Sequence, residues 1–413
     1  MEPFAYVQNR LHAEGVPLAA VAERYGTPAY VYSRGAILEN FRRLEVGLAG
    51  APSLVCYSVK ANSNLRILSL LREAGAGFDI VSGGELARVG RAGAAPDRVV
   101  FSGVGKTADE MDAALAAGLL MFNVESDGEL ELIEARAAAA GKTAPIAIRV
   151  NPDVEAETHP YISTGRFIHK FGVPKDAALS LYRLAARSKN LRVRGIACHI
   201  GSQILQIEPF LKALDEILEV AAGLSAEGIE IEWLDLGGGY GIRYRNEEPI
   251  EMTRLIAELK RRIAGAPYRL ILEPGRAIVG NAGILLTRVL YVKRNGQKKF
   301  IVVDSGMNDL LRPALYGSEH QVWPVIQRPG PAASADVVGP LCETGDFLAR
   351  DRELAPLQPG DLLAVMTTGA YGFALSSNYN SRPRPAEVLV SGTETEVIRA
   401  RERLESLMSG ETT

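Results

Sequence analysis

A lysine closes the first strongly apolar stretch of the chain. Lys60 follows the apolar residues 53–59, which come after Gly50 and Pro52. A run of this length is typical of a strand buried on both faces, where an ammonium group is costly unless it is paired or deprotonated. The amine either reaches solvent or a carboxylate, or acts as a nucleophile that forms a Schiff base with a carbonyl. This stretch alone favours the paired lysine, and the rest of the chain has to decide.

Three later apolar runs also end in residues that can do chemistry. The glycines 237–239 can bring backbone amides close to a phosphate, or they can form a tight turn. His199 can stack on a flat ring or fill the core. Glu273 follows an apolar pair and needs a cationic partner because it is poorly solvated. That partner is Arg149 or Arg276, or the protonated ring nitrogen of a cofactor.

The last third of the chain holds further groups of this kind. The Cys342 thiol can donate a proton and the neighbouring Glu343 carboxylate can hold an amine, although a cysteine is more often a small buried hydrophobe. Arg312 suits a carboxylate through its planar fork, with Tyr316 close by. Tyr371 lies in a glycine-flanked loop. Each of these residues equally fits a surface ion pair or a packed loop.

The elements that would position these residues form a repeating pattern. Eight short apolar runs alternate with amphipathic helical segments, which favours a (β/α)8 barrel of the TIM type over an open sheet. The carboxyl ends of barrel strands meet at one rim, where active sites lie. Lys60, His199, the glycines 237–239 and Glu273 fall at these ends. The predicted strands are 54–60, 78–82, 99–103, 121–125, 146–151, 193–201, 231–239 and 269–276.

After residue 280 this alternation stops. Apolar or alternating strands follow one another with Gly and Pro between them, which predicts an all-β domain. We assign residues 33–280 to the barrel, and residues 1–32 plus 281–413 to a C-terminal β-sandwich or barrel that includes the N-terminal strands. The charged stretch 393–408 is predicted to be a helix.

The bulk composition excludes several classes of protein. The chain has 413 residues, a net charge of −3, 47% hydrophobic and 23% charged residues, as ordinary globular proteins do. The chain has no run of basic residues, so we expect no nucleic-acid partner. We find neither a signal peptide nor an apolar stretch of about 18 residues, so we expect no membrane-spanning segment. Three widely spaced cysteines form neither a disulfide framework nor a metal-ligand pattern, so we expect a cytoplasmic protein without a metal.

Together these motifs resemble the pyridoxal phosphate (PLP)-dependent decarboxylases with the alanine-racemase-like fold. The match follows the family's order over almost the whole chain. Stretches 159–165, 170–172 and 376–385 are most similar to the branch that acts on meso-diaminopimelate. The other matching segments are 57–62, 78–85, 199–203, 237–242, 273–276, 307–316, 342–348 and 369–375.

The resemblance implies a role for each matching residue. Lys60 would carry PLP, His199 would stack on its ring, and Glu273 would pair with its pyridine nitrogen. Cys342 would donate a proton after CO2 leaves; Cys342 and Glu343 would come from the partner subunit of an obligate homodimer. The residues implied to surround PLP are Lys60, Asp79, Arg149, His199, Ser202, Gly238, Gly239, Glu273, Pro274, Gly275, Arg276 and Tyr371. Those implied to bind the substrate are Arg276, Arg312, Tyr316, Glu343 and Tyr371, and those implied in catalysis are Lys60, His199 and Cys342.

The activity implied is the decarboxylation of meso-2,6-diaminopimelate to L-lysine and CO2, the last step of lysine biosynthesis. The alternatives are a decarboxylase of the same fold for ornithine, arginine or carboxynorspermidine, a non-catalytic PLP-binding protein, and a racemase. A substrate without a distal carboxylate has no use for Arg312 and Tyr316. The pair Cys342-Glu343 argues against the non-catalytic protein, and we find no second base opposite Lys60 for a racemase.

Overall fold

The first architecture in the molecule is a closed barrel of eight parallel strands, as predicted. The computed structural model describes residues 2–154 and 170–412, and the barrel lies within them. Each strand pairs with the next along the chain, and the eighth pairs with the first, Leu270 lying opposite Ser53. The strands are Ser53–Ser58, Gly77–Ile80, Val99–Phe101, Met121–Val124, Ala144–Arg149, Leu191–Ala197, Trp233–Asp235 and Arg269–Leu272.

Helices follow the strands after short loops, and side-chain caps fix where several of them begin. Ser82, Thr107 and Ser126 each accept a hydrogen bond from the backbone amide three residues on, which satisfies a donor that the helix leaves unpaired. The strand ends are therefore held close to helix starts. The helices are Arg34–Leu48, Leu65–Glu73, Gly83–Arg91, Ala108–Ala117, Asp127–Ala139, Lys175–Arg187, Glu208–Ala226 and Met252–Arg262, with a short helix Arg276–Val279 and 3-10 turns Val59–Ala61 and Pro96–Arg98.

The inside of the barrel changes from apolar to polar along the strands. Val100, Met121, Trp233 and Ile271 pack together in one buried cluster. Side chains alternate between the two faces of a strand, so the residue two positions later points to the same side. Those residues are Ser102, Asn123, Asp235 and Glu273, all buried. The carboxyl end of the barrel is thus lined with buried polar groups. Hydrogen bonds or a ligand have to compensate the free-energy cost of their burial.

A mixed sheet of nine strands forms the second architecture in the described part of the chain. The early strand Ala29–Ser33 lies inside it, antiparallel to Gly283–Asn295 and parallel to Ala386–Ser391, as predicted for the N-terminal region. The other strands are Lys298–Val303, Val322–Pro324, Ala333–Val338, Phe347–Leu354, Leu362–Val365 and Glu394–Arg399; the helix Arg312–Tyr316 and 3-10 turns Phe373–Leu375 and Tyr379–Ser381 lie between them. A separate small sheet holds Phe4–Val7, Arg10–Ala13 and Val16–Pro17, followed by the helix Leu18–Tyr25.

The predicted helix over residues 393–408 is wrong. Glu394–Arg399 is a strand that pairs with Ala386–Ser391, and only Leu404–Leu407 is helical. Gly392 adopts φ +59°, which suits the tight turn between the two strands. The β-branched residues of the strand favour this pairing over a helix, and the charges that suggested a helix lie on an edge strand.

The chain divides into two compact units. The β unit comprises Met1–Asn40, Arg243–Glu247 and Ile278–Thr413, and the barrel unit comprises Phe41–Ile242 and Glu248–Ala277. None of the helices among residues 2–154 and 170–412 is long and apolar enough to span a bilayer.

A buried ion pair in the barrel unit provides a test of this packing. The ammonium of Lys106 donates to Glu129 Oε1 at 2.7 Å and to two main-chain carbonyls, and its side chain is wholly buried. Lys106→Met leaves the glutamate buried without its partner, so we expect the free energy of unfolding to fall by about 3–5 kcal/mol.

The matched control is Lys175→Met, which breaks an ion pair with two partly exposed glutamates. Its expected cost is about 0–1 kcal/mol. Urea unfolding followed by circular dichroism measures both variants, and equal losses would show that the Lys106 pair contributes no more than a surface pair.

Candidate active site

Lys60 lies in the 3-10 turn directly after the first barrel strand. Its side chain contacts Asp79 of the second strand. Its Nζ donates to Asp79 Oδ2 at 2.7 Å and to Ser58 Oγ at 3.1 Å. The Ser58 hydroxyl donates to the same Asp79 oxygen at 2.6 Å. The Lys60 side chain is 37% exposed while Asp79 is fully buried. The amine is therefore held by a carboxylate and still reachable from solvent, which suits a nucleophile as well as a paired lysine.

The glycine run forms a turn that tolerates no side chains. Gly237 and Gly239 have φ of +66° and +99°, a region that favours glycine. A Cβ on Gly238 would lie 2.1 Å from the carbonyl oxygen of Glu273. The turn thus packs directly against the end of the eighth strand, and its amides remain close to the rim.

His199 contacts this turn through its ring. The half-buried imidazole accepts a hydrogen bond on Nδ1 from the Gly238 amide at 3.1 Å, which leaves its proton on Nε2. Burial lowers the pKa of His199 well below its usual range, and the charges of Arg149 and Lys60 lower it further. The ring is therefore neutral, as a side chain that stacks on a flat cofactor should be.

Glu273 is the most unusual carboxylate of the barrel. It is buried, and its Oε1 has no hydrogen-bond partner within residues 2–154 and 170–412. Burial raises the pKa of Glu273 well above the usual range, and the charges of Asp235 and Asp79 raise it further. The acidic neighbours thus outweigh the charge of Lys60, which lowers this pKa, and a ligand can supply the partner that Oε1 lacks among the described residues.

The two arginines considered as partners for Glu273 bind other groups. Arg149 donates to Glu125 Oε1 at 2.7 Å, and Arg276 donates to Ser202 Oγ at 2.8 Å. The guanidinium of Arg149 also lies 4.9 Å from the centre of the Phe171 ring. Of the stretches that suggested a diaminopimelate enzyme, 159–165 lies outside the described residues.

The end of the eighth strand also packs against the turn that carries Lys60. The carbonyl of Pro274 accepts the Ser58 amide at 3.2 Å. A Cβ on Gly275 would lie 2.9 Å from Ala61 Cβ. Every residue predicted to surround PLP except Tyr371 consequently lies in the barrel unit, at the carboxyl ends of its strands.

The residues predicted to bind the substrate lie mainly in the β unit. The buried Arg312 guanidinium is centred 4.9 Å from the Tyr244 ring and 5.7 Å from the Tyr316 ring, and it donates to Ser318 Oγ at 3.1 Å. Stacking on aromatic faces holds the planar guanidinium in a fixed direction. Tyr371 is half-buried in the same unit with φ +56°, a conformation rare outside glycine.

Cys342 and Glu343 are both exposed on the β unit. The Cys342 amide donates to Asn380 Oδ1 at 3.1 Å, and the Tyr379 hydroxyl donates to Glu343 Oε2 at 3.4 Å. Asp346 holds the start of the loop by accepting the Leu341 amide at 2.7 Å. The alternative of a buried structural cysteine is therefore wrong: the thiol is presented to solvent on an ordered loop.

Two residues that shape these groups, Asp235 and Tyr244, were not predicted from the sequence. Asp235 accepts the Gly237 amide at 2.9 Å and lies beside Glu273. The position of Asp235, two residues after the apolar Trp233 on the same strand, could have indicated a side chain that points into the barrel. The role of Tyr244 could not be predicted from the residues around it, because its contact with Arg312 joins segments far apart in the chain.

These barrel residues fit PLP part by part. Lys60 offers an amine to its aldehyde, the glycine turn offers amides to its phosphate, and His199 offers a neutral ring to its face. The unpartnered Oε1 of Glu273 fits the protonated ring nitrogen, since a buried carboxylate needs a cationic or donor partner.

Comparison with known proteins identifies the family of this chain. The family model of pyridoxal-dependent decarboxylases, pyridoxal-binding domain, matches residues 34–280. Diaminopimelate decarboxylase of Pseudomonas aeruginosa is 54% identical over 100% of this chain and 99% of its own length. The Vibrio cholerae enzyme of the same name is 51% identical over 98% of both chains.

A solved structure shows the same fold over the same length. The diaminopimelate decarboxylase of Helicobacter pylori, complexed with L-lysine, superposes with a TM-score of 0.92 and 43% identity, covering 95% of this chain and 98% of that one. Matches of this length and identity include both the barrel and the β unit. The chain belongs to the pyridoxal-dependent decarboxylase family and, within it, to the diaminopimelate decarboxylases.

Proposed function

We propose that this protein uses PLP to decarboxylate meso-2,6-diaminopimelate to L-lysine and CO2, the last step of lysine biosynthesis. The observation that carries the chemistry is the placement of the Lys60 amine and the buried Glu273 carboxylate at one barrel rim. The choice of substrate follows from the family to which the chain belongs.

Each residue at the rim has a distinct task in this reaction. PLP, when bound, withdraws electrons from the bond that releases CO2. Lys60 binds the cofactor carbonyl covalently, and Ser58 and Asp79 orient its amine. The neutral ring of His199 covers the cofactor ring. Glu273 holds the proton on the cofactor's ring nitrogen, because a buried carboxylate stabilises an adjacent cation.

Further rim residues anchor the cofactor. Gly238, Gly239 and Ser202 hold the phosphate, together with the backbone from Pro274 to Arg276. Amides at a glycine turn favour an anion without any side-chain charge. Arg149 and Tyr371 belong to the same surroundings in this proposal.

The residues of the β unit select the substrate and complete the reaction. Arg312 and Tyr316, with Arg276, hold the distal carboxylate, and Glu343 holds the distal amine. Cys342 gives a proton to the carbon that has lost CO2. Because Cys342 and Glu343 are exposed on their own chain, we assign them to the active site of the partner subunit in a homodimer.

We also place the enzyme in the cytoplasm. Cys56, Cys198 and Cys342 are all free thiols, which suits a reducing compartment. The exposed thiol of Cys342 would be oxidised readily elsewhere.

The direct test is incubation of the purified protein with PLP and meso-diaminopimelate. We expect CO2 and L-lysine in equal amounts, and far less CO2 from ornithine, which leaves the arginine of the distal site unpaired. Manometry and chromatography of the product measure both. Equal release from ornithine would contradict the assignment of the substrate.

Replacing Arg312 should weaken substrate selection without removing the cofactor. Arg312→Leu removes a buried charged donor, so we expect kcat/KM for diaminopimelate to fall about 10²- to 10³-fold with PLP content unchanged. The control is Arg328→Leu, an exposed arginine paired with Asp361, which should leave kcat/KM unchanged. An equal effect of both variants would place Arg312 outside the substrate site.

A methyl group on the glycine turn should impair cofactor binding. Gly238→Ala places a Cβ against the Glu273 carbonyl, so the turn has to move and we expect the affinity for PLP to fall at least about tenfold. The control Gly128→Ala lies in a helix with open space around the added carbon. It should bind PLP normally and gain roughly 0.5–1 kcal/mol of stability. Fluorescence titration of PLP measures the affinity, and a normal affinity for Gly238→Ala would refute the close packing.

Mixing two inactive variants tests the shared site. Lys60→Ala and Cys342→Ala are refolded together, so that some dimers carry one substitution on each chain. If Cys342 serves the partner's Lys60, each hybrid has one intact site, and activity should recover to about a quarter of the native value. Refolding each variant alone is the control. No recovery would place both residues in the site of one chain.

A further inference from the structure

Asp235 occupies the centre of a buried polar chain that crosses the inside of the barrel. Its Oδ1 accepts the Gly237 amide at 2.9 Å, and its Oδ2 accepts Asn123 Nδ2 at 2.9 Å. Asn123 Nδ2 also donates to Ser102 Oγ at 3.0 Å. The Asp235 side chain is almost wholly buried. Two donors directed at its oxygens stabilise the ionised form of this carboxylate.

The carboxyl groups of the buried Asp235 and Glu273 lie within hydrogen-bonding reach of each other. Ionised carboxylates only accept hydrogen bonds, so this contact requires a proton on one of the two. Asp235 already accepts on both oxygens, whereas Glu273 has an oxygen without a partner in the described structure. The proton therefore belongs on Glu273, which donates to an ionised Asp235.

We propose that Asp235 is a positioning residue that keeps Glu273 protonated before the cofactor binds, so that the proton needed on the ring nitrogen of PLP is already in place. This inference rests on the proposed pairing of Glu273 with that nitrogen. With PLP bound, the ring nitrogen would hold the proton in place of Glu273, the O–H bond of the carboxyl being broken and an N–H bond formed. Both carboxylates are then ionised, and no proton for the ring is taken from solvent.

The charges around the pair agree with this distribution of the proton. Burial raises the pKa of Asp235 to about 6 and that of Glu273 well above its usual range. Asp235 is then the more acidic of the two carboxyl groups, so the proton that they share resides on Glu273; below about pH 6 Asp235 gains a proton too. The other titratable groups that face the pair come from the neighbouring strands and turns and are Asp79, Lys60, Cys56, Cys198 and Tyr240.

The test counts the protons taken up when PLP binds to the full-length protein freed of cofactor. Titration calorimetry in two buffers of different ionisation enthalpy gives this number. In Asp235→Asn the side-chain amide can donate to Glu273, and the Asp235 charge that adds to the effect of burial is gone, so the pKa of Glu273 falls and a larger fraction of Glu273 is ionised. We expect this variant to take up more protons per site at neutral pH than the native protein, by up to about one.

The matched control is Asp336→Asn in the β unit. Asp336 is also buried and also accepts a backbone amide, that of Asp351 at 2.9 Å. This variant should take up the same number of protons as the native protein. If Asp235→Asn also matches the native protein, the inference about Asp235 is overturned.

Glu273→Gln separates this inference from the proposed function. If that variant binds PLP and turns over substrate like the native enzyme, the pairing of Glu273 with the ring nitrogen fails. If it is impaired while Asp235→Asn takes up no extra proton, only the role of Asp235 fails. Should Asp235→Asn not fold, infrared difference spectra of the native protein decide. PLP should abolish a protonated-carboxyl band that Glu273→Gln lacks, and a native protein without that band refutes the proposal.

Discussion

The burial of carboxylates inside a closed barrel is the constraint on which the rest of this molecule depends. Closure removes water from the carboxyl ends of the strands, and the inward residues Asp79, Asp235 and Glu273 lie there. Such groups are costly without donors, protons or cations. Lys60 and Ser58 both donate to one oxygen of Asp79, and Asn123 with the Gly237 amide satisfies Asp235. Asp79 Oδ1 and Glu273 Oε1 have no hydrogen-bond partner among the described residues. Asp79 already holds the Lys60 ammonium, so Glu273 is the carboxylate that fits a cationic cofactor.

The close packing of the glycine turn on the eighth strand fixes the positions of the groups around the buried carboxylates. Gly238 approaches the Glu273 carbonyl more closely than any side chain allows, and its amide donates to His199. The group that we propose to hold the phosphate and the group that we propose to hold the ring nitrogen are thereby built on adjacent backbone. Rigid main-chain contacts of this kind keep catalytic groups in place better than mobile side chains do.

Much of this arrangement was predictable because strand ends are readable from local pattern. Lys60, His199 and Glu273 each follow an apolar run, and the barrel places such positions on one rim. The proximity of Asp235 and Glu273 was not predictable, since it joins two strands whose register depends on barrel closure. The helix expected over residues 393–408 failed for a related reason: pairing with Ala386–Ser391 outweighed the local charge pattern.

The sequence by itself determined the alternation of strands and helices, the chemical type of the rim residues and the family, because these are properties of local pattern and of residue identity. Only the tertiary structure decided which groups touch. It paired Lys60 with Asp79, engaged Arg149 with Glu125 and stacked Arg312 on Tyr244. It also exposed Cys342 and buried Glu273 beside a second carboxylate. Burial and charge proximity set ionisation, and both are fixed only when distant segments pack together.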